Sequence, residues 1–246
     1  MSQFNLIASQ TSSAGGTGEV TVIATATNFD ESQYPQLKVT GDMKKGDIIF
    51  FIGAMSLQNG IYQNILKPTF TQAWTELASF AASDTNRAYL NISYHVLEED
   101  SSGMILGIDD EEWARLIDYD WSDQVNNSPL VIVLRGVNPD TLQAVTKSNI
   151  NSTYAYFDPI TITDSDYVLP IAVSSHTSNS SSFTISNGYD EILQQYVDNR
   201  NYQHCLSAAV LRKPGVSGSY TETTWTLANT STADACAAAI VKLSPL

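Results

Sequence analysis

"PLVIVLRGVNPD", residues 129–140, is the stretch on which the reading of the fold turns. Five apolar residues, Leu130 to Leu134, run without a polar break before Arg135, Gly136 and Asn138-Pro139 stop them. A short apolar run rich in β-branched residues and bounded by turn formers reads as a strand buried on both faces. Gly136 permits a bend or a close backbone approach where the strand ends, and Pro139 cannot continue its pairing. An arginine at such an edge lays its stem on apolar surface and pairs its guanidinium with a nearby acid. Arg135 is therefore read as structural.

Working outward, strand signals dominate. "EVTVIATAT" (19–27) alternates β-branched residues with small or polar ones, and "GDIIFFIGAM" (46–55) is a second continuous apolar run. Further strands are expected at 72–80, 88–97, 166–176, 182–187, 205–211, 221–229 and 235–243, divided by turn clusters such as "KKGD" and "KPGVSGS". Helix is sparse. "DDEEWARLIDYD" (109–120) offers an aspartate N-cap, first-turn glutamates and Trp113, Leu116 and Ile117 on one face. "DEILQQYV" (190–197) carries a weaker stripe of Ile192, Leu193, Tyr196 and Val197. The pattern predicts an all-β chain: an antiparallel β-sandwich, jelly-roll-like, with one or two short helices in its connections. Residues 1–246 are expected to form one domain, with 1–18 as an N-terminal arm and 98–128 as an acidic insertion.

A chain of 246 residues buries roughly 70–75% of its unfolded surface, enough for a core that needs neither disulfides nor metal. Twelve basic residues stand against 26 acidic ones, for a net charge of −14. That balance excludes nucleic acid, whose phosphates require clustered Lys and Arg, and it disfavours anionic membranes. The apolar run "IIFFIGAM" is far below the ~20 residues of a membrane span. The opening "MSQFNLIASQTSSAGG" lacks a basic segment followed by an apolar one, so no secretory signal is expected. Cys205 and Cys236 lie in small-apolar runs and read as reduced, buried thiols, with a bridge between neighbouring strands as the alternative. Sequons at Asn91, Asn151, Asn179 and Asn229 match what chance supplies in a Ser/Thr-rich chain.

Signatures of catalysis are missing. No G-x-S-x-G motif appears, and His95, His176 and His204 show no metal-ligand spacing along the chain, so neither metal nor cofactor is expected. Acidic clusters at 98–100, 109–112 and 118–123 raise calcium binding or glycoside hydrolysis. Asp118 and Asp120 would share a face if extended, with Trp121 beside them as a sugar-stacking platform. A helix N-terminus accounts for the cluster at 109–112, EF-hand spacing is absent, and the segment is read as a solvated acidic loop. In "NSTYAYFDP", Tyr154 and Tyr156 alternate on one strand face, as a binding ridge or a core feature would require.

The order of segments carries a resemblance. Gly46-Asp47 opens an apolar strand, Trp74-Thr75 follows, Arg135-Gly136-Val137 ends another strand, and Leu243 to Pro245 close the last one. This resembles a family of phage-encoded virion proteins found among tail and fibre genes, over residues 40–246. Two departures are "QAWT", where the family has Gly before Trp-Thr, and the acidic insertion. The resemblance implies a β-sandwich without catalytic residues, and hence a non-enzymatic virion structural protein associated with a tail or fibre and serving assembly or host attachment. Capsid decoration and recognition of host-surface glycan are the alternatives. The implied partners are other virion proteins and further copies of the chain, with assembly in the host cytoplasm.

Overall fold

Leu130 to Leu134 are completely buried, because neighbours pair on both sides of them and apolar side chains cover both faces. The computed structural model describes residues 18–27, 36–58, 74–82, 86–107, 125–149, 153–176, 182–185, 193–198, 204–228 and 235–246. In chain order the strands begin β1 (Thr21–Thr27), β2 (Gln36–Met43), β3 (Ile48–Gln58), β4 (Thr75–Ala82), β5 (Asn86–Val96) and β6 (Ser101–Gly107). They continue β7 (Val125–Asn127), β8 (Leu130–Arg135), β9 (Gln143–Asn149), β10 (Tyr154–Ala155), β11 (Ile160–Ile162) and β12 (Tyr167–His176). The last are β13 (Phe183–Thr184), β14 (Leu193–Asp198), β15 (His204–Ala209), β16 (Gly218–Tyr220), β17 (Trp225–Leu227) and β18 (Ala235–Leu243).

Two antiparallel sheets form the sandwich. The first runs β1-β8-β3-β5-β4, with β7 also on β3, and the second runs β14-β15-β12-β18-β9. Each is drawn from one half of the chain. Period-two alternation sends Ile48, Phe50 and Ile52 of β3, Leu90 and Ile92 of β5 and Ile132 of β8 inward. They meet Leu169, Ile171 and Val173 of β12 and Ala237, Ala239 and Val241 of β18 in one continuous core.

The second sheet is buried on its far face too. There Val168, Ala172, Leu206, Ala208, Ala238 and Ile240 pack under a third layer made by β10-β17-β13 and β11-β16. Trp225, fully buried, anchors that layer, with the Phe157 ring edge-on at 5.1 Å and Phe183 at 6.1 Å. Double burial explains the composition of "ACAAAIVKL": apart from Lys242, every residue of β18 is buried. Pro170 sits inside β12, a costly place for a residue without an amide proton. Val210 donates to the Pro170 carbonyl (3.1 Å), but Pro170 cannot return a bond. The β12–β15 ladder stops at Ala209 and resumes as a single Val168–Arg212 bridge with reciprocal bonds of 2.8 and 2.9 Å.

Four expectations change or leave the described residues. The helix expected at 190–197 is not formed over its described part: Leu193–Asp198 are strand β14, paired with β15 from Leu193↔Ala209 to Asp198↔His204. The 109–120 helix and residues 1–17 of the arm lie outside the described residues; among the described residues the helical element in a connection is a 3-10 turn, Pro139–Thr141, capped by the Asn138 side chain. The acidic insertion opens as sheet, since β6 pairs with β2.

Gly136 shows what the glycine at the end of β8 is for. Its φ is +83°, and an added Cβ would lie 2.2 Å from the Glu19 carbonyl oxygen. Gly46 has φ +90° with nothing within 4 Å of an added Cβ. Gly136→Ala is expected to lose about 2–4 kcal/mol of stability, from backbone strain plus overlap, and Gly46→Ala about 1–2 kcal/mol from strain alone. Urea unfolding midpoints of the two variants check this, and equal losses would contradict the contact with Glu19.

Candidate functional site: a knot of motifs and an exposed tyrosine pair

The family-like motifs, scattered in sequence, converge at one end of the sandwich. Asp47 opens β3 and Arg135 closes β8, so antiparallel pairing of the two strands brings them together. Arg135 donates from Nε to Asp47 Oδ1 and from its terminal nitrogen to Asp47 Oδ2, both at 2.8 Å, and to the Asp42 carbonyl at 2.8 Å. The Asp47 side chain is only 2% exposed and also accepts from the Lys44 N–H at 2.7 Å. Such a two-pronged, charge-assisted pair fixes geometry as well as energy. Next to the glycine, Val137 bridges Pro245, Asn138 N–H donates to Ser244 O and Leu246 N–H donates to Gly136 O. Trp74 lies against His95, ring centroids 5.6 Å apart. At the rim, Lys44 pairs with Asp42 and Asp100, and the Lys45 N–H and Lys44 ammonium hold Asp100 below the usual carboxylate range. The structural reading of Arg135 stands.

A matching turn opens the second sheet. Thr163 N–H donates to Asp166 Oδ2 at 2.8 Å and Asp166 N–H to Thr163 O at 3.2 Å, as Lys44 and Asp47 do at 2.7 and 2.9 Å. Each sheet's central strand thus starts from an aspartate that caps its own turn.

Of the sequence candidates, Tyr154 and Tyr156 are brought together. They are 41% and 45% exposed, on either side of buried Ala155, with ring centroids 6.0 Å apart at 47°. Both lie on the third layer: Tyr154 is opposite Thr226, and the Tyr156 carbonyl accepts from Asn149 Nδ2 at 3.2 Å. Two residues on, Asp158 pairs with Lys147 at 2.8 Å. The pair forms an exposed stacking surface with two hydroxyls, suited to a sugar ring or a protein partner. Asp118, Asp120 and Trp121 lie outside the described residues. Asn91 is fully buried, which rules out its sequon as a glycan acceptor in the folded chain.

Polar groups that sequence reading missed lie inside the sandwich. Arg212 and Glu222 form an ion pair of 2.9 Å with side chains 4% and 0% exposed. Glu222 also accepts from Tyr220 Oη and from the Thr223 hydroxyl and N–H. Between the two sheets, Ser56 bonds Ser175, Ser128 bonds Cys205 (3.0 Å), and Ser207 donates to the Ser128 carbonyl. Burial pushes the Cys205 thiol up to about 12. Cys205 faces the inter-sheet core while Cys236 faces the third layer, so the two are on opposite sides of their sheet and neither is in a disulfide. Among the described residues no three His, Cys, Asp or Glu side chains group as a metal site. The register, however, sets His176 directly opposite His204, which distance along the chain concealed.

No protein-family model matches the chain, and neither a curated protein nor a solved structure is significantly similar to it.

Arg212→Met leaves the Glu222 carboxylate buried and unpaired and is expected to cost about 3–5 kcal/mol, whereas Arg212→Met with Glu222→Leu restores much of that loss. Chemical denaturation of the three proteins gives the coupling directly. Both thiols are expected to resist an aromatic disulfide reagent at pH 8 in the native protein and to react fully in denaturant; rapid native labelling of Cys205 would contradict its burial.

Proposed function

We propose that the chain is a non-enzymatic structural protein of a bacteriophage virion, associated with the tail or a fibre and held there by other virion proteins and further copies of itself. The observation that supports this reading is that the motifs resembling those of the virion family are spent on architecture. Gly46-Asp47, Arg135-Gly136-Val137 and Pro245 interlock where strands of the first sheet end. Residues whose side chains are committed to one another in a buried clamp are suited to holding a scaffold, not to turning over a substrate. A net charge of −14 carried on a low charged fraction (15%) suits repeated packing against protein.

Counting this chain against the major capsid protein, by quantitative mass spectrometry of purified virus particles, tests the reading. A few to a few dozen copies per particle is expected. A ratio near one, or a simple fraction of it, would replace the tail assignment with capsid decoration, and absence from particles would overturn both.

The exposed Tyr154–Tyr156 pair favours a second reading, in which the same sandwich binds host-surface glycan. Glycan arrays probed with the wild-type chain and with Tyr154→Ala/Tyr156→Ala are expected to show binding that the variant loses by about tenfold or more, since stacked aromatics contribute about 0.5–1.5 kcal/mol each beyond the area they bury. Equal binding by both proteins would remove the tyrosines from the site.

A further inference from the structure

The two halves of the chain build their sheets to one plan. In chain order the first sheet, β7 aside, uses β1, β3, β4, β5 and β8, and the second uses β9, β12, β14, β15 and β18. Side by side, each set runs first-fifth-second-fourth-third, antiparallel throughout. Each half also adds a two-stranded ribbon outside its sheet, β2 with β6 and β11 with β16. In both halves the ribbon strands fall, in chain order, between the first and second and between the fourth and fifth sheet strands.

The agreement extends to single residues. Ile48 and Tyr167, each directly after a turn aspartate, lie opposite Leu134 and Leu243. The residues after those leucines are Arg135 and Ser244, and both bond the aspartate of their own half, Asp47 and Asp166. Positions one, three and five after each aspartate enter the inter-sheet core: Ile48, Phe50 and Ile52, and Tyr167, Leu169 and Ile171. The ninth position is Ser56 in one half and Ser175 in the other. Both are fully buried, and their hydroxyls bond each other at 2.5 Å. Equivalent residues in mutual contact mark a two-fold axis, about which residue i meets j and j meets i. The strands obey the same exchange: β3 meets β15 as β12 meets β5, and β4 meets β9 as β1 meets β14.

We propose that the chain is a fused dimer, two copies of one strand unit docked through their sheets about an axis at Ser56–Ser175. The inter-sheet face is then a surface whose partner is a second copy of the same unit, made intramolecular. Fusion let the copies diverge where identical subunits could not. Ile52 is flanked by Ile92 and Leu130, whereas its equivalent Ile171 is flanked by Ala209 and Ala239. Large residues in one sheet and small ones in the other let facing layers interdigitate.

Equivalence of the two strand entries is tested on the full chain. Ser244→Arg should complete with Asp166 the two-pronged pair that Arg135 makes with Asp47, and so raise the urea midpoint; adding Asp166→Asn should abolish the rise. Order is tested separately, since neither copy of a fused dimer has to come first. A circular permutant that starts at Asp140, runs through Leu246 into Met1 and ends at Pro139 is expected to unfold in one cooperative transition with the wild-type slope. Leu246 and Glu19 both lie against Gly136 already, so old and new ends share one region. A Ser244→Arg midpoint that does not rise, a rise that survives Asp166→Asn, or a permutant without a cooperative transition would overturn the proposal.

Discussion

The middle strands of the second sheet, β15, β12 and β18, are buried on both faces along almost all of their described residues, and the rest of the structure follows from that constraint. They touch the inter-sheet core on one side and the Trp225 layer on the other. A strand so placed cannot alternate polar with apolar residues. It also cannot carry bulky side chains on both faces where neighbouring layers approach closely, hence the alanines and cysteine of β18. Polar groups that do enter must find partners inside, because an unpaired buried group costs about 1–3 kcal/mol. Arg212 and Glu222 pair with each other, and serine hydroxyls bond across the sheets.

Edges and ends are governed by charge instead. The Asp47 carboxylate takes three hydrogen bonds, two from Arg135 and one from the backbone of its own turn. That joins the entry of one strand to the exit of its neighbour. The segment after β18 is then laid beside Gly136 to Asn138, so the final residues are tied to the first sheet although β18 belongs to the second. Gly136 admits Glu19 at the same place. Four stretches far apart in sequence meet there.

What was legible in the sequence follows the strength of each local signal. "LVIVL" and "GDIIFFIGAM" are long enough, and apolar enough, to announce strands buried on both faces, and the role of Arg135 followed from its place at the end of one. The third layer was less visible: β10 and β13 are two residues long and β11, β16 and β17 three, below the length at which a period can be read. β14 was misread because Leu193, Tyr196 and Val197 fit a helical stripe, and pairing with β15 overrode that local preference. The tyrosine pair was legible because residues two apart on an extended segment share a face. The His176–His204 juxtaposition was not, since only the register of two strands joined by a long connection creates it.

Drawing each sheet from a different half of the chain also dictates an order of events at the ribosome. The first sheet can pair its strands early, but its inward face, with Phe50 and Ile132, has nothing to cover it until the second sheet exists. That second sheet cannot close before β18, the last strand to emerge among those described, slides between β12 and β9. A nascent chain therefore carries an uncovered apolar face through most of its synthesis, and the final insertion is a long-range step of the kind that folds slowly. Chaperone demand during overexpression should accordingly track the interval between completion of β8 and arrival of β18, a kinetic liability built into an otherwise self-contained sandwich.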